Sequence, residues 1–299
     1  MIFESDREAL LTRLRQHLTA PLAAKIERLV RPVAAMQPTA DTSRLSRLGG
    51  QPLVGLGFEW PHRPAPPVKR GLFGWGKRTP TADPIPLTFL AQIALAEIPP
   101  LVLTDLGLPG AGVLLFFYDA LAQEAWGFDP ADKPHWRVLL VESPTHEAPW
   151  PERLGDQGRL PAVSLSSTLG WMSPHEHFVA PAEKAISPSE MLAYGELAEL
   201  VEDLPPQTRF GGWPTPIQND IQAPAQLVSN GIYCGGPDGY RKGAHLIPGA
   251  HVWRLLLELG SMDEAEMMWG DCGALYFQMR DEDIRNRRWD QAWMELQCS

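Results

Sequence analysis

The chain has 299 residues, 44% of them apolar and 21% charged, with 30 prolines, 26 glycines and a formal net charge of −10. That length fits one large body or two lobes whose core needs no disulfide or metal staple. Proline at about twice its usual share, spread rather than clustered, excludes a long-helix bundle, a coiled coil and a disordered chain. The acidic balance argues against nucleic acid as a partner, because phosphate recognition draws on a basic surplus.

Cys234, Cys272 and Cys298 are odd in number and far apart, with no CxxC, so neither a disulfide framework nor a zinc site is indicated. The first sixteen residues carry charges every few positions and no apolar stretch, and no 18-residue apolar run occurs anywhere, so neither a signal peptide nor a transmembrane segment is expected. The expectation is a cytoplasmic protein without a cofactor.

In chain order, Ser5 with Glu8 forms a capping-box pattern, and Leu10, Leu14, Leu18, Leu22, Ile26, Leu29 and Val33 recur at helical spacing. This predicts an N-terminal helical segment over 1–35, kinked near Pro21, that either packs on the protein's own sheet or lies on a membrane surface. A turn-rich stretch follows over 36–85. Apolar runs at 86–95, 112–118 and 136–142 read as strands, and 143–186 reads as irregular and proline-rich. Ser187, Pro188 and Glu190 mark the start of a helix that runs to about Asp203, before Pro205 and Pro206. Strands are predicted at 251–259 and 273–279. A last helix is predicted from about Asp281, with Ile284, Trp289, Ala292, Trp293 and Leu296 on one side.

The sequence RLGG, FLAQI, GVLLFF (47–50, 89–93, 112–117) recurs in order as RFGG, LLLEL, GALYFQ (209–212, 255–259, 273–278), with Pro52 and Pro214 just after the paired glycines. This predicts an α+β fold: internally duplicated, mainly antiparallel sheet units, about 47–118 and 209–279, in one pseudo-symmetric body with covering helices. Residues 36–299 then form a single domain.

The segments SRLGGQP (46–52), WP (60–61), PLTFLAQI (86–93), GVLLFFYD (112–119), GGWPTPIQND (211–220), WRLLLEL (253–259), MMWGDCGALYF (267–277) and RDEDI (280–284) together resemble the YwqG-like family of bacterial proteins. The resemblance implies a cytosolic α+β protein with a duplicated sheet. It supplies no reaction, because that family is a domain of unknown function. Some members look as though they belong with toxin–immunity gene neighbourhoods, which implies protein binding. The chain departs from the compact family pattern at 63–83, which is longer and more basic.

Candidate site residues follow from chemistry at particular places. Gln92 and Glu258 occupy corresponding positions in the two repeated strands, so they either bracket a polar pocket on the pseudo-twofold axis or turn outward to solvent. Gln218 and Asp220, after the second glycine turn, are further pocket candidates. Asp271, in the turn of 267–273, reads as a turn-stabilising aspartate above Trp269 or as an acid/base or cation ligand at a pocket mouth. His175 and His177 have an alternate spacing that metal sites use, but equally suit two solvent-facing side chains, and no metal is expected. The 63–83 loop carries five basic side chains against Asp83, a net +4 that leaves −14 on the rest of the chain. Its Lys69, Arg70, Phe73, Trp75, Lys77 and Arg78 read as a docking peptide for an acidic partner, or as a surface insertion without one. No phosphate loop, nucleophile elbow or HExxH occurs. The expected function is non-enzymatic protein binding, immunity-like; the alternative is a small-molecule- or metal-dependent enzyme with a polar pocket between the two repeats.

Overall fold

The computed structural model describes residues 1–65, 83–175, 186–199 and 207–299. In chain order the strands are β1 (Phe3–Glu4), β2 (Arg31–Pro38), β3 (Arg47–Leu48), β4 (Leu53–Val54), β5 (His62–Arg63), β6 (Ile85–Pro86), β7 (Thr88–Ala94), β8 (Val113–Tyr118), β9 (Trp136–Val141), β10 (His146–Glu147), β11 (Val163–Met172), β12 (Thr208–Gly211), β13 (Trp253–Gly260), β14 (Ala274–Arg280) and β15 (Trp293–Gln297). The helices are α1 (Arg7–His17), α2 (Ala20–Glu27), α3 (Pro100–Leu106), α4 (Pro188–Glu199), α5 (Gln222–Val228), α6 (Pro237–Lys242) and α7 (Asp281–Arg285).

One large sheet runs β15-β14-β13-β12-β2-β11-β3-β7-β8-β9, with β1 added to β11, and every pair in it is antiparallel. Read outward from the central β2–β11 pair, the two halves correspond strand for strand. The first is β3-β7-β8-β9 and the second β12-β13-β14-β15. Registers correspond as well: Arg47 lies opposite Gln92, and Arg209 opposite Glu258. Each half also carries a register shift just before that residue, between Phe89 and Ala91 and between Leu255 and Leu257. The turns after β3 and β12 both use paired glycines with positive φ, Gly49 and Gly50 at 56° and 71°, Gly211 and Gly212 at 75° and 73°. Side chains with a Cβ rarely adopt that conformation.

The sheet curls until its edge strands meet. Trp136 of β9 stacks edge-on against Trp293 of β15 with centroids 4.9 Å apart, and Phe116 meets Phe277 at 5.1 Å. The indole Nε1 of Trp136 donates to the Ala292 carbonyl and that of Trp293 to the Gly127 carbonyl, both at 2.9 Å. Alternate side chains of both halves therefore fill one shared apolar interior that includes Leu114, Phe116, Trp136, Leu257, Phe277 and Leu296. Gly127 has φ of +87°, and a Cβ there would lie 2.1 Å from the Met294 carbonyl oxygen. Gly127→Ala is expected to destabilise the fold by more than the ~1–2 kcal/mol that a left-handed residue alone costs, read as a lower urea midpoint at unchanged slope.

The outer faces are covered differently. In the first half, Phe89, Val113, Leu115 and Phe117 pack beneath Phe58 and Trp60 of the loop after the glycine turn. At the N-terminus, Leu10, Leu14, Leu22 and Ile26 of α1 and α2 bury against Tyr194 and Leu197 of α4, an internal packing of that amphipathic face.

Four expectations change. The helix cap is Asp6, whose carboxylate accepts from Ala9 N at 2.8 Å, rather than Ser5. The helical segment expected over 1–35 breaks at Thr19, near Pro21, and ends at Glu27, because 31–38 is a central strand. Residues 163–172, read as irregular, form the other central strand. The terminal helix is only Asp281–Arg285, and Trp293 to Leu296 belong to β15. The α4 start agrees with its signal: Ser187 N donates to Glu190 Oε2 at 2.8 Å, and Glu190 N to Ser187 Oγ at 3.3 Å.

Candidate functional site

The outer face of the second half is polar where its counterpart is apolar. Across adjacent strands Arg209, Glu258, Tyr276 and Glu295 lie directly opposite one another in turn. Directly opposed residues of antiparallel strands project to the same face, so the four make one row. The corresponding row of the first half is Arg47, Gln92, Leu115 and Leu139. Two residues further along, Gln278 stands where Phe117 stands, and Gln297 extends the polar face on β15.

Arg209 and Glu258 are a buried ion pair, with 1% and 3% of their surface exposed. The Thr215 hydroxyl bonds both of them, Thr215 N donates to Glu258 Oε2 at 3.0 Å, and the Tyr276 hydroxyl donates to the Thr215 carbonyl at 2.8 Å. Glu258 thus pins the loop that follows the glycine turn. Gln92 does the same in its half, accepting from Leu53 N at 2.9 Å and donating to the Leu45 carbonyl. Each pinned amide lies six residues after the arginine of its half. Both candidates are buried rather than turned to solvent, and each staples its own loop.

Further along this loop, Gln297 Oε1 accepts from Gln218 N at 2.9 Å and its Nε2 donates to the Asn219 carbonyl at 2.9 Å. Gln278 Nε2 reaches the Ile221 carbonyl at 2.9 Å. Asp220 accepts from Gln222 N at 2.8 Å and Ala223 N at 3.1 Å, ahead of α5. The loop is therefore laid over the polar face by side-chain amides, and a cleft opens on either side of it.

One cleft, of about 320 Å³, is lined by Arg209, Thr215, Glu258, Cys272 and Tyr276, together with Met1 and Ser299. The other, of about 310 Å³, is lined by Phe128, Gln218, Asn219, Asp220, Cys234, Tyr240, Glu295 and Gln297. Glu295 is fully buried, and burial holds its carboxyl well above the usual range against the opposing hydrogen bond from Gln297. Burial likewise pushes the Cys234 thiol up to about 11 and raises the Tyr240 phenol, with Glu295 adding to both. Four of the residues singled out by sequence thus gather on the second half: Glu258 at one cleft, Gln218 and Asp220 at the other, and Asp271 exposed beside Cys272. Gln92 belongs to the first half. The space between the halves, where the alternative reading put a polar pocket, is filled by the Phe116–Phe277 and Trp136–Trp293 contacts.

Sequence reasoning missed Arg209, Tyr276, Glu295 and Gln297. A signal for one of them lay in the aligned repeats themselves, where Tyr276 and Gln278 of GALYFQ replace Leu115 and Phe117 of GVLLFF. Glu295 and Gln297 lie in the segment misread as helix. His175 is half-buried, and His177 lies outside the described residues, as do Lys69, Arg70, Phe73, Trp75, Lys77 and Arg78. The flanks of that loop are anchored, Arg63 to Asp119 at 2.5 Å and Asp83 to Arg153 at 3.0 Å. Among the described residues no group of three or more His, Cys, Asp or Glu is arranged to hold a metal ion, and no helix is long and apolar enough to cross a membrane.

The model of a family described as a domain of unknown function (DUF1963) matches residues 46–298. No curated protein matches the chain.

Proposed function

The chain belongs to that family of unknown function over residues 46–298, and since the family brings no reaction with it, we propose from the geometry that the protein is a non-enzymatic binding module. Its recognition surface is the outer face of the second half, around the loop of residues 213–221. On this reading the protein is a bacterial, cytoplasmic, YwqG-like chain, its halves descend from one duplicated unit, and its partner is a protein, as in an immunity-like role.

The observation that carries the reading is the difference between the halves. Strand order, register, glycine turns and pinned loops correspond, yet Leu115, Phe117 and Leu139 give way to Tyr276, Gln278 and Glu295. Apolar packing is the cheaper way to cover a sheet, as the first half does, because buried polar groups stabilise little unless every one is partnered. Keeping polar groups at these three positions on one half alone points to selection for recognition there. Arg209, Glu258, Thr215 and Tyr276 already bond one another, which suits a scaffold for a surface better than reacting groups.

The test uses exposed side chains, so that the fold survives. Ile217 is 43% and Tyr233 57% exposed on this side, and Leu56, 91% exposed, sits in the corresponding loop of the first half. In quantitative affinity purification, Ile217→Glu with Tyr233→Ser is expected to lose a stoichiometric protein that the wild type and Leu56→Glu both retain. Loss with Leu56→Glu alone, or equal retention by all three, would refute the assignment.

A further inference from the structure

The cleft beside β15 presents two carboxyls, a thiol and a phenol, and neither lysine nor arginine lines it. Glu295 lines this cleft while completely buried. Its Oε1 accepts from Gln297 Nε2 at 2.7 Å, but its Oε2 has no hydrogen-bond partner. An unpaired buried carboxyl oxygen is costly, and the corresponding residue of the first half is Leu139, so the fold does not require it. Phe128 and Tyr240 are also among the lining residues and bring apolar surface to the cleft.

We propose that this cleft binds an organic cation by its alkylammonium group, with Glu295 Oε2 as the counter-carboxylate and Tyr240 and Phe128 against the alkyl chain. The inference rests on the reading above only in placing recognition on the second half. It does not require the ligand to belong to a protein, because a free amine and a lysyl side chain present the same group. A third cleft, lined by Gly231, Tyr233, Pro237 and Lys242, shares Gly236 with this one and gives a longer ligand a path onward.

The proton balance follows from the carboxyl's surroundings. Glu295 faces Tyr276 across β14, Asp220 from the pinned loop, Cys234 from the turn after α5 and Tyr240 from α6. None of these supplies a positive charge, so an arriving ammonium meets carboxyl, thiol and phenol groups and no competing cation. The ammonium keeps its proton and pairs with ionised Glu295, and any proton that the free carboxyl holds passes to the buffer. Binding then strengthens about tenfold per pH unit until the free carboxyl itself ionises.

The experiment is calorimetric titration of the full chain at neutral pH in buffers of different ionisation enthalpy. The probes are n-butylamine, Nα-acetyl-lysine methylamide and the neutral n-pentanol. The expected result is binding of an amine, weakened about tenfold or more in Glu295→Gln, with no comparable binding of n-pentanol. Preference between the two amines identifies the source. No amine binding at millimolar concentration, equal binding of n-pentanol, or unchanged affinity in Glu295→Gln would each overturn the inference. If Glu295→Gln fails to fold, the comparison of the amines with n-pentanol on the wild type still decides. Amine binding is independent of whether the affinity purification finds a protein, so the two proposals fail separately.

Discussion

Arg209→Ala is expected to cost about 3–5 kcal/mol of folding stability, because it leaves a buried carboxylate without its cation. The pair lies on opposed residues of β12 and β13, with both side chains almost wholly inaccessible to water. Exposed ion pairs are worth little, as their charges remain solvated. Here the cost of desolvating Glu258 is already committed, and Arg209 and Thr215 offset it together. The other half provides the internal comparison. Gln92 holds its loop with neutral hydrogen bonds to Leu53 and Leu45, so Gln92→Ala should cost only about 1–3 kcal/mol. The double substitution Arg209→Ala with Glu258→Gln turns the charged staple into the neutral kind, and is expected to be more stable than Arg209→Ala alone. Urea unfolding followed by tryptophan fluorescence measures all three. A double variant no more stable than Arg209→Ala would mean that lost packing of the arginine, not the orphaned charge, sets the cost.

Much of the sheet was legible because the outer strands of each half are apolar runs bounded by turns. Residues 88–94, 113–118, 253–260 and 274–280 appear within a residue or two of expectation. The repeated order RLGG, FLAQI, GVLLFF marks β7-β8 and β13-β14, while RLGG and RFGG, which read as glycine turns, also hold the strands β3 and β12. The two central strands were illegible for opposite reasons. β2 is buried on both faces through Val33, Ala34, Ala35 and Met36, so it shows no alternation, and Val33 continued the helical spacing of the preceding leucines. β11 is rich in serine and threonine, and its apolar residues are too sparse to mark it, although eight of its residues pair with β2.

The site was half legible for a related reason. Polar residues beside the glycine turn, Gln218 and Asp220, stand out in a loop. Glu258 stands out inside an apolar strand. Glu295 does not, because WMELQ is buried at all five positions, and Trp289, Ala292, Trp293 and Leu296 imitate a helix face. Only cross-strand register places Glu295 beside Tyr276 and in line with Glu258, and register is a tertiary fact.

That placement predicts how stability depends on pH. Burial raises the Glu295 carboxyl well above the ordinary 4.5 in the folded chain, whereas in the unfolded chain it ionises near that ordinary value. Between the two values the folded state binds one more proton than the unfolded state. This contribution is therefore fully present below about pH 4.5 and is lost as pH rises toward the folded value. Its slope approaches 1.4 kcal/mol per pH unit for a single proton. Glu295→Gln keeps the shape and a neutral hydrogen-bonding group but cannot ionise. The stability of Glu295→Gln relative to wild type is accordingly expected to climb with pH above about 4.5, by roughly 1.4 kcal/mol per unit, until the wild-type carboxyl ionises within the fold. Parallel urea titrations at intervals between pH 5 and 8 give that difference directly, and other titrating groups cancel in it. A difference independent of pH would mean that Glu295 is already ionised in the folded protein. The cleft would then hold a permanent negative charge, and amine binding there would release no proton.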